Sequence, residues 1–499
     1  MSSSPLHEVG KRYQREDGPQ LASGWPFYVD DLRPPGLLFG AVVRAERPHA
    51  RILRIDTSKA ALSRGVACVI TGADIPNNAY GPFHRDQPVL CDDKVRYEGD
   101  PVAALCAESW EAAAESARKV RVEYEDLPPV TDPESALRSG SPLLHESHPT
   151  GNLVVDYKLR RGNVESGLAA ADLIVEERYF SRAQEHASIE THNSMAEVNP
   201  FGKLTVHVAS QRPFSIRADL SRILGIPISR IRVVFDKVGG GFGGKHEPML
   251  DPLAALCAMR TGRPVKFRMT REEEFTTSTV RHSFIMDYKT GVTRNGKIIA
   301  QQIRFIVDGG AYCCNGHNVA GKAAILGSGP YRVENVETDS FLVYTNNGVA
   351  GACRGFGITQ TTYGSECHMD SIARRLNMDP LELRRLNALK AGDTDPSGDP
   401  ILACGLADTM EKASRGINWE SIGQGRRSSC GKRRQGRGIA SMIYPVGPIA
   451  RDAPSGAFAR VNEDATLTVW TGVADVGQGA HVVLRQIAAE ELGIEFENV

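Results

Sequence analysis

Residues Val238-Gly-Gly-Gly-Phe-Gly-Gly-Lys245 set five glycines around a single aromatic, after an apolar run at 231–235 and ahead of a helical stretch near Pro252. Glycine buries no side chain and loses the most backbone entropy on folding, so such a segment cannot be there for a core. Its physical use is to bring backbone N–H groups close to an anionic or oxo-rich ligand. Gly239–Lys245 also fits the G-x-x-x-x-G-K spacing of a phosphate loop. His246, however, stands where that mechanism wants a Ser or Thr hydroxyl on magnesium, and no second nucleotide-binding element accompanies it. A structural glycine turn is the other reading that the segment alone leaves open.

Two further elements have the same character. Gly351-Ala-Cys-Arg-Gly-Phe-Gly-Ile-Thr-Gln360 offers an arginine between glycines, a rigid fork of donors on permissive backbone that suits phosphate or pterin heteroatoms. A surface turn would read much the same. Gly472-Val-Ala-Asp-Val-Gly-Gln-Gly-Ala480 leads into a helix at 481–492, and backbone donors at a helix N-terminus favour anions. Gln478 adds both a donor and an acceptor.

Around these loops the chain is organised as mixed α/β. Residues 101–106 form a short apolar run suited to a buried strand, 110–119 are helical in character, and 120–124 alternate as a half-buried strand does. That order and spacing predict a compact βαβ unit. Pro128-Pro129 and the Ser/Gly/Pro-rich stretch at 139–142 read as a linker, and 393–400 as another boundary. Strands are expected at 204–208, 231–235 and 465–470, with helices at 217–224 and 251–260. Units are therefore placed at 1–137, 152–392 and 437–499. The basic, glycine-punctuated segment 426–437 reads as a solvated linker rather than a polyanion contact, because the rest of the chain is not basic.

With 499 residues, 41% hydrophobic, 24% charged and a net charge of −1, the chain has no electrostatic footprint for nucleic acid or an anionic membrane. No apolar tract is long enough to span a bilayer, and residues 1–10 lack the apolar region of a secretion signal. The ten cysteines are scattered with no CxxC pair, which predicts a reduced, cytoplasmic protein with no structural zinc and no iron–sulfur cluster of its own.

Taken together, in this order and spacing, the three glycine-rich elements resemble the molybdopterin subunit of the molybdenum hydroxylases, the xanthine dehydrogenase/aldehyde oxidase family. The likeness extends over essentially the whole chain. Tyr28-Val-Asp-Asp-Leu-Arg-Pro-Pro-Gly-Leu-Leu-Phe-Gly40, Pro48-His-Ala-Arg51 and Val95-Arg-Tyr-Glu-Gly-Asp-Pro-Val102 are similar to the family's N-terminal α/β hammerhead domain. Gln184-Glu-His-Ala-Ser-Ile-Glu-Thr-His192 and Ser210-Gln211 resemble stretches leading to its cofactor. The resemblance implies a hammerhead domain over 1–137, a first molybdopterin-binding domain over 152–392 and the incomplete start of a second over 437–499. It implies that Gly241, Phe242 and Gly243 give backbone contacts to the molybdenum ligands. Gln211 would hydrogen-bond a molybdenum oxo group. Ala352, Cys353 and Arg354 would contact the pterin, and Gly477, Gln478 and Gly479 its phosphate or nucleotide end, with a cytosine dinucleotide as one form.

Two positions depart from the xanthine-type pattern. His246, followed by Glu247, stands where those enzymes have a purine-reading glutamate, and counting back from the second loop places Lys322 where they have an arginine. The substrate is therefore left open between an N-heterocycle (xanthine, purine or nicotinate-like) and an aldehyde. Carbon monoxide is disfavoured, since Ala352-Cys353-Arg354 lacks the longer cysteine-bearing loop of that branch. The implied reaction is hydroxylation with water as oxygen source, the metal generating the nucleophile and neighbouring donors stabilising developing charge. The family's general-base glutamate is expected beyond Val499, and neither Glu490 nor Glu491 is assigned that role. The implied partners are a small subunit with [2Fe–2S] clusters and an FAD subunit, since no ligand set for electron transfer lies in this chain. A non-catalytic cofactor-binding fragment, and a split subunit completed by a second molybdopterin polypeptide, are the rival readings.

Overall fold

The computed structural model describes residues 6–25, 28–235, 237–419, 436–445 and 455–499. The basic segment is therefore outside the described residues from 426 to 435, as is Cys430. Two sheets carry most of the fold. The continuous apolar strand Pro101–Ala107 is buried along nearly its whole length. It pairs antiparallel with Leu38–Arg44 on one side and Val66–Thr71 on the other. Leu38–Arg44 then runs parallel to Val265–Arg268, with Leu38 opposite Val265. The sheet continues through Asn193–Val198 and Leu204–Val208 to Ile231–Val234. One seven-stranded sheet thus crosses the linker at 139–142, and its strands come from both sides of it.

The expected βαβ unit does not form. Trp110–Ala117 is a helix, capped by the Ser109 hydroxyl accepting the N–H of Ala112. Arg121–Asp126, however, leaves the large sheet and pairs antiparallel with Ala50–Asp56 in a separate three-stranded sheet. Arg121, Glu123 and Glu125 are exposed and only Val122 and Tyr124 turn inward. A strand with one apolar face cannot sit in a sheet covered on both, so it takes an outer position.

The second sheet has five strands in the order Leu153–Arg161, Asn335–Tyr344, Ile298–Gly310, Phe284–Val292, Leu173–Ser181. Its inner face, with Phe284, Phe305, Val336 and Leu342, forms one core with residues of the helices Gly316–Leu326 and Ile358–Leu376. A second core lies between the seven-stranded sheet and the helices Pro213–Leu224 and Asp251–Thr261. In Asp251–Thr261 every residue from Asp251 to Ala258 is buried, as a helix apolar on all sides must be.

A buried ion pair ties the end of this region together. The helix Pro380–Asn387 starts at Asp379, whose carboxylate accepts the N–H groups of Leu381 and Glu382. It directs Arg384, fully buried, onto Glu366 at 2.8 Å. Tyr331 also donates to Glu366, as does the N–H of Ser441 at 2.9 Å.

The C-terminal unit is the hairpin of Ala457–Val461 with Leu467–Thr471, followed by the helix Ala480–Leu492. Glu490 accepts the N–H groups of His7 and Val9, and Tyr13 stacks on Phe496 at 3.8 Å, so this unit is joined to the N-terminal segment. No helix among the described residues is long and apolar enough to cross a membrane.

Removing one partner of a buried, hydrogen-bonded ion pair leaves the other charge uncompensated, at a cost of about 3–5 kcal/mol. Arg384→Ala is expected to destabilise the protein by that amount in urea titration. A loss below about 1 kcal/mol, the range of an exposed pair, would contradict the part given to this pair.

Candidate cofactor site

The first glycine loop is anchored from below by buried polar groups. Glu190 accepts the N–H of Gly239 at 2.7 Å and the Lys245 ammonium at 2.9 Å. Lys245 is buried, and burial lowers its pKa from the usual lysine value while Glu190 opposes the shift. This lysine is spent on a carboxylate of its own chain, which removes the phosphate-loop reading. His192 lies against Glu274 at 2.9 Å through Nδ1, and its Nε2 is 3.1 Å from the carbonyl of Gly244. The carbonyl of Lys245 accepts from the N–H of Gln211 and the hydroxyl of Ser210. Glu190 and His192 lie in the stretch that the sequence marked only as leading to the site; Glu274, on the helix Arg271–Thr277, carried no signal.

Above this base the loop meets two other segments. Gln211 stands between the strand Leu204–Val208 and the helix Pro213–Leu224, and its Oε1 accepts the N–H of Gly243 at 2.8 Å. Its amide oxygen is thereby used inside the protein, and Nε2 remains as a donor with no partner among the described residues. A Cβ on Gly241 would lie 2.5 Å from that same Oε1, so only glycine lets the amide in. Gly243 has φ +106°, and a Cβ there would come 2.6 Å from the carbonyl of Ala352. The carbonyl of Phe242 accepts the N–H of Arg354 at 2.9 Å, and His186 Nε2 lies 2.7 Å from the carbonyl of Ala352. Two glycine loops and Gln211 are therefore one hydrogen-bonded body.

Phe242 and Phe356, one in each loop, both have φ of +51°. A side chain in the left-handed region costs on the order of 1–3 kcal/mol and persists only where its surroundings impose it. Phe242 remains about half exposed, so the strain does not serve to bury the ring. Arg354 is exposed, and its backbone carbonyl accepts from Arg281 at 3.0 Å.

The remaining positions fall as follows. His246 is half-buried, its Nδ1 has no hydrogen-bond partner among the described residues, and burial, with Arg212 and His186 nearby, lowers its pKa to about 4. Glu247 points elsewhere, accepting from Asn315 at 2.7 Å and from the thiol of Cys314. Lys322 is buried on the helix Gly316–Leu326, its ammonium 5.2 Å from the centre of the Phe356 ring, 4.7 Å from that of Tyr444 and 3.1 Å from the Tyr444 hydroxyl. No carboxylate among the described residues pairs with it. The third element forms its own turn: Asp475 accepts the N–H of Gly477 at 2.9 Å, and Gln478 bonds Val476 and Ala474. Its contacts beyond the turn run to Arg15, which donates to the carbonyl of Gly477 and lies 3.8 Å from Asp475. Gly477, Gln478 and Gly479 are thus not drawn into the body formed by the other two loops. A cleft of about 620 Å³ lies elsewhere, between Arg44, Trp110, Tyr124 and Phe267; chemistry and geometry outweigh its size.

Comparison with known proteins fits this geometry. A molybdopterin cofactor-binding domain model matches residues 144–388, an aldehyde oxidase and xanthine dehydrogenase a/b hammerhead domain matches 23–128, and a second molybdopterin cofactor-binding domain matches 412–499. The nicotinate dehydrogenase large molybdopterin subunit of Eubacterium barkeri is 35% identical over 407 residues, covering 81% of this chain and 95% of that one. The chain belongs to the molybdenum hydroxylase family, as a molybdopterin-binding large subunit. A probable xanthine dehydrogenase subunit of Bacillus subtilis (strain 168) is 37% identical over 487 residues, covering 97% of this chain and 65% of that one. Quinoline 2-oxidoreductase from Pseudomonas putida 86 superposes with a TM-score of 0.91 at 28% identity, over 99% of this chain and 66% of that one. The chain thus spans about two thirds of the length of two of these relatives, and nearly the whole of the Eubacterium protein.

Two outcomes check the site as described. With a pKa near 4, His246 is neutral throughout the neutral range, so its ring C–H resonances are expected to stay flat from pH 5 to 8; a transition near pH 6.5 would contradict the burial argument. Gly243→Ala is expected to lower stability by about 1–3 kcal/mol, because positive φ and the Ala352 carbonyl both oppose a Cβ. An unchanged thermal midpoint would show that the two loops are not locked together.

Proposed function

We propose that this chain is the cofactor-binding subunit of an enzyme that hydroxylates an anionic, nicotinate-like N-heterocycle with oxygen from water. Electrons would pass to [2Fe–2S] and FAD partner subunits. The observation that carries the substrate class is Lys322: a buried ammonium between two aromatic rings, without a counter-ion among the described residues. Such a group is costly to bury unless an anion joins it. A carboxylate on a flat heterocycle meets both needs, since the ring can lie against Phe356 while the charge reaches Lys322. The likeness to the nicotinate dehydrogenase protein supports the same choice over a neutral purine or an aldehyde.

The residues fit a molybdenum–molybdopterin cofactor by their donors. Gln211 Nε2, the backbone of Gly241, Phe242 and Gly243, and the Ala352-Cys353-Arg354 segment with its exposed guanidinium would hold it. In this reading Gly477, Gln478 and Gly479 take its phosphate or cytosine-nucleotide end. When bound, the cofactor would supply the two-electron redox chemistry and the activation of water. The protein's part is to orient and to exclude. Gln211 keeps one donor aimed in a fixed direction, because Gly243 holds its other end. His246, neutral, offers a ring nitrogen for hydrogen bonding to a heterocycle nitrogen. The free thiols of the described cysteines accord with a cytoplasmic location.

Lys322→Met in the assembled enzyme tests this reading. The kcat/KM for a carboxylated N-heterocycle is expected to fall at least about tenfold, a transition-state loss of about 1.4 kcal/mol, while an uncharged heterocycle changes little. Equal losses on both substrates, or turnover of aldehydes alone, would overturn it.

A further inference from the structure

Away from the cofactor loops, three side chains from two distant parts of the sequence meet. His84 Nε2 and His317 Nε2 are 2.9 Å apart, and the Cys313 sulfur joins them so that all three ligand atoms lie within 4.8 Å of one another. We propose that His84, Cys313 and His317 form a binding site for a divalent ion of the zinc class, clamping the hammerhead domain to the helix that carries Lys322.

The ligand set suits such an ion: two imidazoles and a thiolate with a fourth position open are a tetrahedral zinc arrangement. Two nitrogens on one tetrahedral zinc stand about 3.3 Å apart, so the pair need open by only a few tenths of an ångström. The surroundings are built as outer shells of metal sites are. His317 Nδ1 is 3.3 Å from the Tyr157 hydroxyl, a contact that fixes the ring and leaves Nε2 for the metal. Phe83 packs on the His317 ring at 4.9 Å. Asp86, two residues after His84, accepts the N–H of Cys313 at 2.8 Å and the Tyr344 hydroxyl at 2.7 Å. Its other oxygen, Oδ1, is buried and without a partner among the described residues. A buried carboxylate oxygen left unpaired needs nearby positive charge. A divalent ion with one thiolate supplies a net positive charge there.

The backbone holds His84 in place. Its loop is closed by the bridge between Tyr80 and Gln87, and a Cβ on Gly81, at φ +143°, would lie 1.9 Å from the carbonyl of His84. No motif spacing reveals the site, because His84 belongs to the first unit and Cys313 and His317 to the second. The neighbouring Cys314 takes no part, its thiol being donated to Glu247. On binding, the Cys313 thiol proton is released to solvent as the metal–sulfur bond forms, with no change of oxidation state.

The test is titration of the purified chain, after chelator treatment and dialysis, with Co²⁺ as spectroscopic probe and Zn²⁺ as competitor. We expect one equivalent of Co²⁺ with tetrahedral absorption and a thiolate-to-cobalt charge-transfer band, both displaced by Zn²⁺. Cys313→Ser should abolish the charge-transfer band, and His84→Gln, on an outer loop, should weaken affinity at least about tenfold. Zn²⁺ should raise the thermal midpoint of the wild type and not of His84→Gln. Far-UV circular dichroism would check that both variants remain folded. Absence of stoichiometric binding, or binding indifferent to both substitutions, would reduce the cluster to an ordinary histidine–histidine hydrogen bond and overturn the proposal.

Discussion

The amide oxygen of Gln211 accepts the N–H of Gly243, and the carbonyl of Phe242 accepts the N–H of Arg354. These two bonds join Gln211, the first glycine loop and the second loop, more than a hundred residues further along the chain, into one surface, and the chemistry proposed for the site follows from them. Because Gly243 satisfies the oxygen of Gln211, the nitrogen of that amide has one direction left. Because Phe242 and Arg354 are bonded through their backbones, both side chains are left available. Two phenylalanines in left-handed conformation are the energetic counterpart of this arrangement. The protein stores strain in the two loops and recovers it in the buried polar base formed by Glu190, Lys245, His192 and Glu274.

The sheets make that surface rigid. Gln211 and the first loop hang from one edge of the seven-stranded sheet, near the ends of Leu204–Val208 and Ile231–Val234. The second loop precedes the long helix Ile358–Leu376, which packs into the core of the five-stranded sheet. Each loop is thus borne by a different core, and the bond from the N–H of Arg354 to the carbonyl of Phe242 joins them. That the hammerhead strands continue the first sheet, with Leu38 opposite Val265, means that this domain braces the sheet bearing the first glycine loop rather than merely preceding it.

Local patterns made much of this legible. Glycine density marked two loops that do converge; an apolar run at 101–106, alternation at 204–208 and a helical stretch at 251–260 match the strands Pro101–Ala107 and Leu204–Val208 and the helix Asp251–Thr261. What stayed hidden is non-local. The alternation at 120–124 identifies the strand Arg121–Asp126 and cannot say which sheet receives it. Glu274 and His186 look like any helical acid and any loop histidine until the fold sets them against His192 and Ala352. Gly477-Gln478-Gly479 reads like the other two elements, yet Asp475 takes up two of its N–H groups from within the turn. Sequence shows which backbone is permissive; only the fold shows what that backbone approaches.

The central claim is that Gln211 and the two interlocked loops form a cradle for a molybdenum cofactor. The most direct measurement is the molybdenum-to-protein ratio of this chain, purified with its genomic neighbours from a host that makes the cofactor, beside the same ratio for Gly241→Val. A ratio near one is expected for the wild type, with one metal centre per subunit. The variant should fall toward zero while remaining folded, since its side chain would displace the Gln211 amide. Wild-type protein that is folded yet free of molybdenum, or a variant that loads as well as the wild type, would contradict the account.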